Sequence, residues 1–267
     1  KGSKRWIDLY FLPRFQPIEL VKPFLIIFIS LILSNQKYGN IYLKYILTFL
    51  ATLLIALFLI FQPDIGQTLL VFLSWSILIF VSGANMIFLS ILFLFFIFIF
   101  LYLVFFVSKF GYIKNRLLSF FDKETGTHNF QSDKAIDSIT SGGFFGKGIG
   151  EGDLKNRVPE AHTDYIISVI SEEFGVIAII LILLLFLILI YSVFKKVYLE
   201  SEEKTKLILV GCISLILMQV MIHIGVNIRL FPTTGMTLPF ISYGGSSIIS
   251  ISILSGIILN LTKRKIN

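Results

Sequence analysis

Long apolar runs recur along the chain, separated by short polar interruptions. The runs cover about 20–33, 41–61, a third stretch that follows almost at once and ends near Val81, then 87–107, 176–194, 207–227 and 248–261. A spanning helix needs roughly 20 mostly apolar residues, so the pattern predicts about seven spans, the first short unless its flanks contribute. Inside a bilayer every backbone polar group must be satisfied by its own segment or a closed sheet, which leaves helices or barrels. Barrel strands show alternating segments of about ten residues, whereas these runs are continuous. The expectation is an all-α, polytopic membrane helix bundle, with residues 1–267 forming a single membrane domain.

The interruptions differ in character. Lys1–Glu19 is polar and aromatic, and Trp6 and Tyr10 suit the headgroup level. In Gln62-Pro63-Asp64-Ile65-Gly66-Gln67-Thr68, Pro63 frees a backbone carbonyl and Gly66 permits a sharp turn. An ionisable residue at that depth, Asp64, is a functional candidate; the plainer reading is a carboxylate that ends a helix at the water boundary. Gln219, His223 and Asn227 are spaced i, i+4, i+8 and form one polar stripe. Such a stripe faces the bundle interior, for interhelical hydrogen bonds first and a substrate path second. Phe231–Ser247, FPTTGMTLPFISYGGSS, is too rich in Pro and Gly for regular helix. Irregular backbone at membrane depth needs protein or a water-filled cavity around it.

The longest polar segment, 108–174, contains the candidate chemistry. Gly142–Gly150 reads GGFFGKGIG, a backbone that can approach a ligand closely. Pro159-Glu160-Ala161-His162-Thr163-Asp164 then places two carboxylates, an imidazole and a hydroxyl within six residues. Tyr165–Phe174 has helical potential, and Gly175 breaks that helix before the next apolar run. Asp164 is expected in the first helical turn, where the backbone dipole favours the ionised carboxylate. The segment is a candidate active site; the plainer alternative is an ordinary surface loop.

Composition and charge sharpen this picture. Hydrophobic residues make up 56% of the chain, with 28 Phe and only 15% charged, which excludes an ordinary water-soluble domain. The single cysteine, Cys212, sits in an apolar run and precludes a disulfide framework within the chain. The net charge of +7 is read as serving cytoplasmic loops and anionic lipid, with no nucleic-acid partner. With seven spans, the Lys37/Lys44 loop, the 195–206 loop and Lys263-Arg264-Lys265 share one side, which the positive-inside rule makes cytoplasmic. The 108–174 segment is then a large extracytoplasmic loop. Its cations, among them Lys114, Arg116, Lys134, Lys147, Lys155 and Arg157, fit an anionic substrate. An outside N-terminus predicts an odd number of spans ahead of Lys1, so the chain reads as truncated at its start.

At this point the residues resemble a family. Lys4-Arg5-Trp6, Phe15-Gln16-Pro17-x-Glu19-Leu20-x-Lys22, Gln62-Pro63-Asp64-x-Gly66, Gly142-Gly143-x-x-Gly146, Pro159-Glu160-Ala161-His162-Thr163-Asp164 and Leu238-Pro239-Phe240-Ile241-Ser242-Tyr243-Gly244-Gly245-Ser246-Ser247 resemble, in order, the signatures of the SEDS (shape, elongation, division and sporulation) proteins of bacteria. The division type is the nearer one, and Gly148–Gly152 with Asn156-Arg157-Val158-Pro159 is similar to alphaproteobacterial members. The resemblance implies a ten-span fold with three spans upstream. It implies a peptidoglycan glycosyltransferase that polymerises lipid II into glycan strands, releasing polyprenyl diphosphate at the periplasmic face of the inner membrane, at the division septum. It carries the catalytic aspartate onto Asp164 and functionally sensitive, substrate-binding positions onto Trp6, Glu19, Lys22 and Asp64. Ser242, Gly244 and Gly245 of the last signature are counted with them. The implied partners are lipid II and the nascent strand, a class B penicillin-binding transpeptidase and other divisome membrane proteins. Three positions depart from the pattern: Ile18 replaces the usual Ser, His223 a frequent Asn, and Asn156 a second loop carboxylate found in some members.

The chemistry asks for particular groups. A sugar hydroxyl is a weak nucleophile, so a positioned carboxylate base, Asp164, is expected. The departing diphosphate needs neutralisation by Lys147, Lys155 and Arg157, by Lys22 if the fold brings it close, or by a divalent cation such as Mg2+ or Mn2+. His162 stands alone and is expected to support hydrogen bonding rather than to bind metal. The alternatives are a lipid II flippase or other transporter, an elongation-type polymerase of the same family, and a noncatalytic scaffold.

Overall fold

The computed structural model describes residues 5–9, 12–121, 130–158 and 160–263. Among the positions named above, Lys4, Tyr10, Pro159, Arg264 and Lys265 lie outside these residues, as do the side chains of Lys155 and Asn156. The apolar runs form helices α1 (Pro17–Ser34), α2 (Ile41–Phe61), α3 (Ile65–Val81) and α4 (Met86–Phe106). After the shorter α5 (Gly111–Phe121), α6 (Phe130–Gly142) and α7 (Leu154–Arg157) come α8 (Ile166–Leu199), α9 (Glu203–Asn227) and α10 (Gly245–Thr262). Six of these helices are long and apolar enough to cross a membrane, and α3, at 17 residues, falls just short in length.

Local signals set several of the helix starts. Asn40, Asp64 and Asn85 accept hydrogen bonds from Tyr42 N, Gln67 N and Ile87 N and so cap α2, α3 and α4. Pro17 opens α1, where its missing N–H costs nothing.

Burial identifies the axis of the bundle. In the apolar window of α9, 78% of residues are buried, against 6% in α4, so α9 is the centre of these helices and α4 their least packed edge. Helices α1, α3, α8 and α10 all pack on α9, and α2 packs on α1 and α3. The α1–α9 contact is close: a Cβ at Gly211 would lie 2.4 Å from Ile26 Cγ2.

The 108–174 segment is not an open loop. Most of it is helix: α5, α6, α7 and the first turns of α8. The small residues Ser132, Ala135, Ser138 and Gly142 form the buried face of α6, which packs against α8. That contact is too tight for a side chain at Gly142, whose Cβ would sit 2.0 Å from Ser171 O. The break expected at Gly175 is present, with φ 79° and ψ 178° inside α8. A small ribbon was not anticipated: β1 (Ile7–Leu9) pairs antiparallel with β2 (Leu12–Phe15), and Arg14 Nε donates to Asp8 Oδ2 at 2.7 Å. The helix order gathers the ribbon, the 62–64 turn, the described residues of 107–121, 130–158 and 160–165, and 228–244 at one end of the bundle. The 35–40, 82–85 and 200–202 turns lie at the other.

Candidate active site

The polar stripe on α9 holds the irregular segments in place. Gln219 Nε2 donates to Thr237 O at 2.9 Å, and His223 Nδ1 lies 2.7 Å from Met236 O. Asn227 Nδ2 donates to Asp164 O at 3.1 Å, while its Oδ1 accepts from Ser168 Oγ at 2.7 Å. The stripe therefore makes interhelical and helix-to-loop hydrogen bonds. From the other side, Ser242 Oγ donates to Thr163 O at 2.7 Å and accepts from Leu238 N at 2.7 Å. Tyr243 N donates to His162 O at 3.2 Å. Gly66 lets α3 close on the same segment, since a Cβ there would meet Thr234 Cβ at 2.8 Å.

These contacts position Asp164, and they correct one expectation. Asp164 lies in the turn ahead of α8, not in its first helical turn. Burial pushes its carboxyl up from 3.8 to about 6, Glu160 adds to the rise, and Arg116 and Arg5 oppose it.

Asp164 lines a polar cavity of about 200 Å3 with Arg5, Arg116, Gln131, Tyr165 and the Thr233–Met236 strand of the loop. A Cβ at Gly235, whose φ is 69°, would lie 3.5 Å from Asp164 Oδ2, so the backbone runs close beside the carboxylate. The buried hydroxyls of Tyr165 and Thr234 make no hydrogen bond among the described residues, which leaves both available to a polar ligand.

The other expected residues are dispersed. Asp64 does not line the cavity but stands behind its wall residue Arg5: Arg5 Nε donates to Gln62 O at 3.2 Å, Arg5 also bonds Pro63 O, and its guanidinium lies 3.6 Å from Asp64 Oδ2. Gln16 Nε2 donates to the same carboxylate at 3.0 Å, and Gln16 N reaches Ser246 Oγ at 2.9 Å. Glu19 and Lys22 form a buried ion pair deeper in the bundle, at 2.8 Å, with Gln67 Nε2 on Glu19 at 2.7 Å and Gln219 3.5 Å from Lys22. This pair joins α1, α3 and α9 and does not line the Asp164 cavity. Lys147 and Arg157 are engaged elsewhere too: Lys147 Nζ is 2.8 Å from Glu172, and Arg157 is 3.5 Å from Asp153. Trp6 is exposed beside Arg5, and His162 is exposed with its ring edge-on to Tyr243 at 5.7 Å. Gly244 and Gly245 sit at the start of α10, below Ser242.

Among the described residues, the cations that line the cavity are thus Arg5 and Arg116. The sequence signal for Arg5 was its place beside Trp6. Nothing in the spacing set Arg116 apart from its basic neighbours.

Residues 1–267 match the FtsW/RodA/SpoVE family, described as cell cycle proteins. The chain belongs to that family. Among curated members, it is 32% identical over 270 residues to the probable peptidoglycan glycosyltransferase FtsW of Caulobacter vibrioides, covering 99% of this chain and 67% of that protein. The Haemophilus influenzae protein of the same name is 33% identical, covering 97% and 67%. The fold superposes with a TM-score of 0.80 and 27% identity on a chain from a study of polymerization and crosslinking by a peptidoglycan synthase complex, covering all of this chain and 75% of that one. The Thermus thermophilus rod shape determining protein RodA gives 0.66 and 26%, covering 100% and 71%. This FtsW/RodA/SpoVE chain is therefore an all-α, multi-pass membrane protein, and its similarity to division-type members is at least as strong as to RodA.

Proposed function

We propose that this chain is a peptidoglycan glycosyltransferase that polymerises lipid II during cell division. The supporting observation is a partly buried carboxylate, Asp164, sharing one polar cavity with two guanidinium groups. The acceptor sugar hydroxyl attacks the anomeric carbon of the donor. The new glycosidic C–O bond forms as the bond to the diphosphate breaks, and the hydroxyl proton passes to Asp164. A base with its pKa near 6 is ionised at neutral pH yet basic enough to accept that proton. Arg5 and Arg116 stabilise the negative charge that develops on the departing diphosphate.

The donor set is too sparse for a divalent cation held by the protein alone; such an ion would be held by Asp164 together with the phosphates of the substrate. Among the described residues Asp164 is the one carboxylate lining the cavity, and no cluster of three His, Cys, Asp or Glu is present. Within the cavity's own lining, Arg5 and Arg116 supply the charge neutralisation.

The polar end of the bundle is proposed to face the periplasm from the inner membrane, at the septum. A class B penicillin-binding transpeptidase is the proposed partner, supported by the likeness to a chain from a peptidoglycan synthase complex.

The test uses the whole protein with its transpeptidase and labelled lipid II, with glycan chains read on gels. Asp164→Asn should lower turnover by roughly 10²–10⁴-fold, the usual contribution of a positioned base, while membrane insertion and partner binding persist. Near wild-type polymerisation by that variant would remove Asp164 from catalysis. Loss of lipid II translocation with polymerisation intact would favour the flippase.

A further inference from the structure

The loop between α6 and α7 has a feature that the proposed reaction does not use. Phe144, Phe145 and Ile149 are 74%, 83% and 79% exposed. Large apolar side chains so fully presented usually belong to an interface or a membrane.

The loop that carries them is held firmly. Gly146 N donates to Gly142 O at 2.8 Å, Lys147 N to Glu172 O at 2.9 Å, Gly148 N to Glu173 O at 3.1 Å and Val176 N to Gly143 O at 3.0 Å. Gly143, Gly146, Gly148 and Gly150 all take positive φ. At Gly146 a Cβ would also lie 2.2 Å from Glu173 O, so only glycine lets the loop bond to the broken turn of α8. The apolar tip is thus presented by a fixed backbone.

Its depth follows from α8. Hydrocarbon about 30 Å thick takes roughly 20 helical residues at 1.5 Å each. Lys195 is the exposed cation that marks the far interface. Twenty residues back from 195 is 175, the residue at which α8 breaks. The loop meets α8 at that level: Ile177 N donates to Phe144 O at 3.4 Å. Immediately beyond, Ile177, Ile180 and Leu181 are exposed on a span whose apolar window is only 11% buried, so the loop adjoins a stretch of α8 that presents apolar side chains.

We propose that the 143–149 loop is a membrane-interface anchor, with Phe144, Phe145 and Ile149 entering the headgroup–acyl boundary of the leaflet beside α8. Burying apolar surface at about 25 cal/mol per Å2 favours this placement, and amphipathic elements lie at this boundary for the same reason. The anchor needs no substrate and is independent of the reaction proposed above.

A fluorophore at Phe145→Cys, in a Cys212→Ser background, tests the anchor in nanodiscs of phosphatidylethanolamine and phosphatidylglycerol. Emission should shift to the blue. Lipids spin-labelled near the glycerol end of the acyl chain should quench it strongly, and aqueous iodide several-fold less than at Ser201→Cys in the opposite polar loop. Ile149→Cys provides a second site should the first variant fold poorly. Iodide quenching equal to that at position 201 would overturn the proposal. So would protection from iodide without quenching by lipid, because protein would then cover the tip.

Discussion

At Asp164, burial and neighbouring charge pull against each other. Burial and Glu160 raise the carboxyl to about 6, and Arg116 and Arg5 restrain the rise. Two consequences follow. As the proposed base the group must be ionised, so kcat/KM should rise with pH through about 6 and level off above it, which a pH–rate profile of polymerisation checks. For stability the sign is the reverse. The folded pKa exceeds the ordinary 3.8, so the contribution of this group is fully present below 3.8 and lost as pH rises through about 6. Asp164→Asn should therefore stabilise the fold above that range, by about 1–2 kcal/mol after allowance for its partial exposure, and less in acid. Thermal unfolding at two pH values measures this. Asp164 was legible in the sequence as a candidate, because two carboxylates, a hydroxyl and an imidazole crowd together before an apolar run. Its partners were not. Arg5 and Arg116 are 111 residues apart in the chain and meet Asp164 only when the N-terminal segment and the α5 region fold over the same end of the bundle.

At the scale of elements, the tightest junction joins α6 to the first turns of α8. Two adjacent glycines separate packing from backbone strain. A Cβ at Gly142 would strike Ser171 O at 2.0 Å, whereas Gly143 has φ 56° and open space around it. Gly142→Ala should cost roughly 1–3 kcal/mol or more through overpacking, and Gly143→Ala about 1–2 kcal/mol through the left-handed backbone. Thermal unfolding of the two variants in detergent should rank Gly142→Ala as the less stable. The apolar runs announced every long helix and the break at Gly175, because periodicity and length are local properties. The short helices α5, α6 and α7 were hidden inside a polar segment. Their apolar content is low, and α6 is held by small residues whose fit depends on α8.

For the whole molecule, the order of seven apolar helices separates two ends with different chemistry. The cavity, the ribbon and the glycine loop share one end, and the short turns around Lys37 and Ser201 share the other. Cysteines at Thr140, exposed on α6, and at Ser201 in a Cys212→Ser background should therefore label oppositely in intact cells. An impermeant maleimide should reach position 140 once the outer barrier is opened and should not reach 201; the reverse pattern would invert the proposed topology. This division into two ends was readable from charge in the short loops. The centrality of α9 was not, since its polar stripe named a buried face without saying which segments it holds.

Arg5 lies 3.6 Å from Asp64 and also bears on Asp164, so two carboxylates compete for one guanidinium. Neutralising the first releases the cation to the second. Asp64→Asn should move the acid limb of the pH–rate profile below about 6, although Asp64 belongs to a different turn from the base. The position of that limb then acts as a gauge: it reports, from solution kinetics alone, whether the N-terminal segment is seated across the α2–α3 turn.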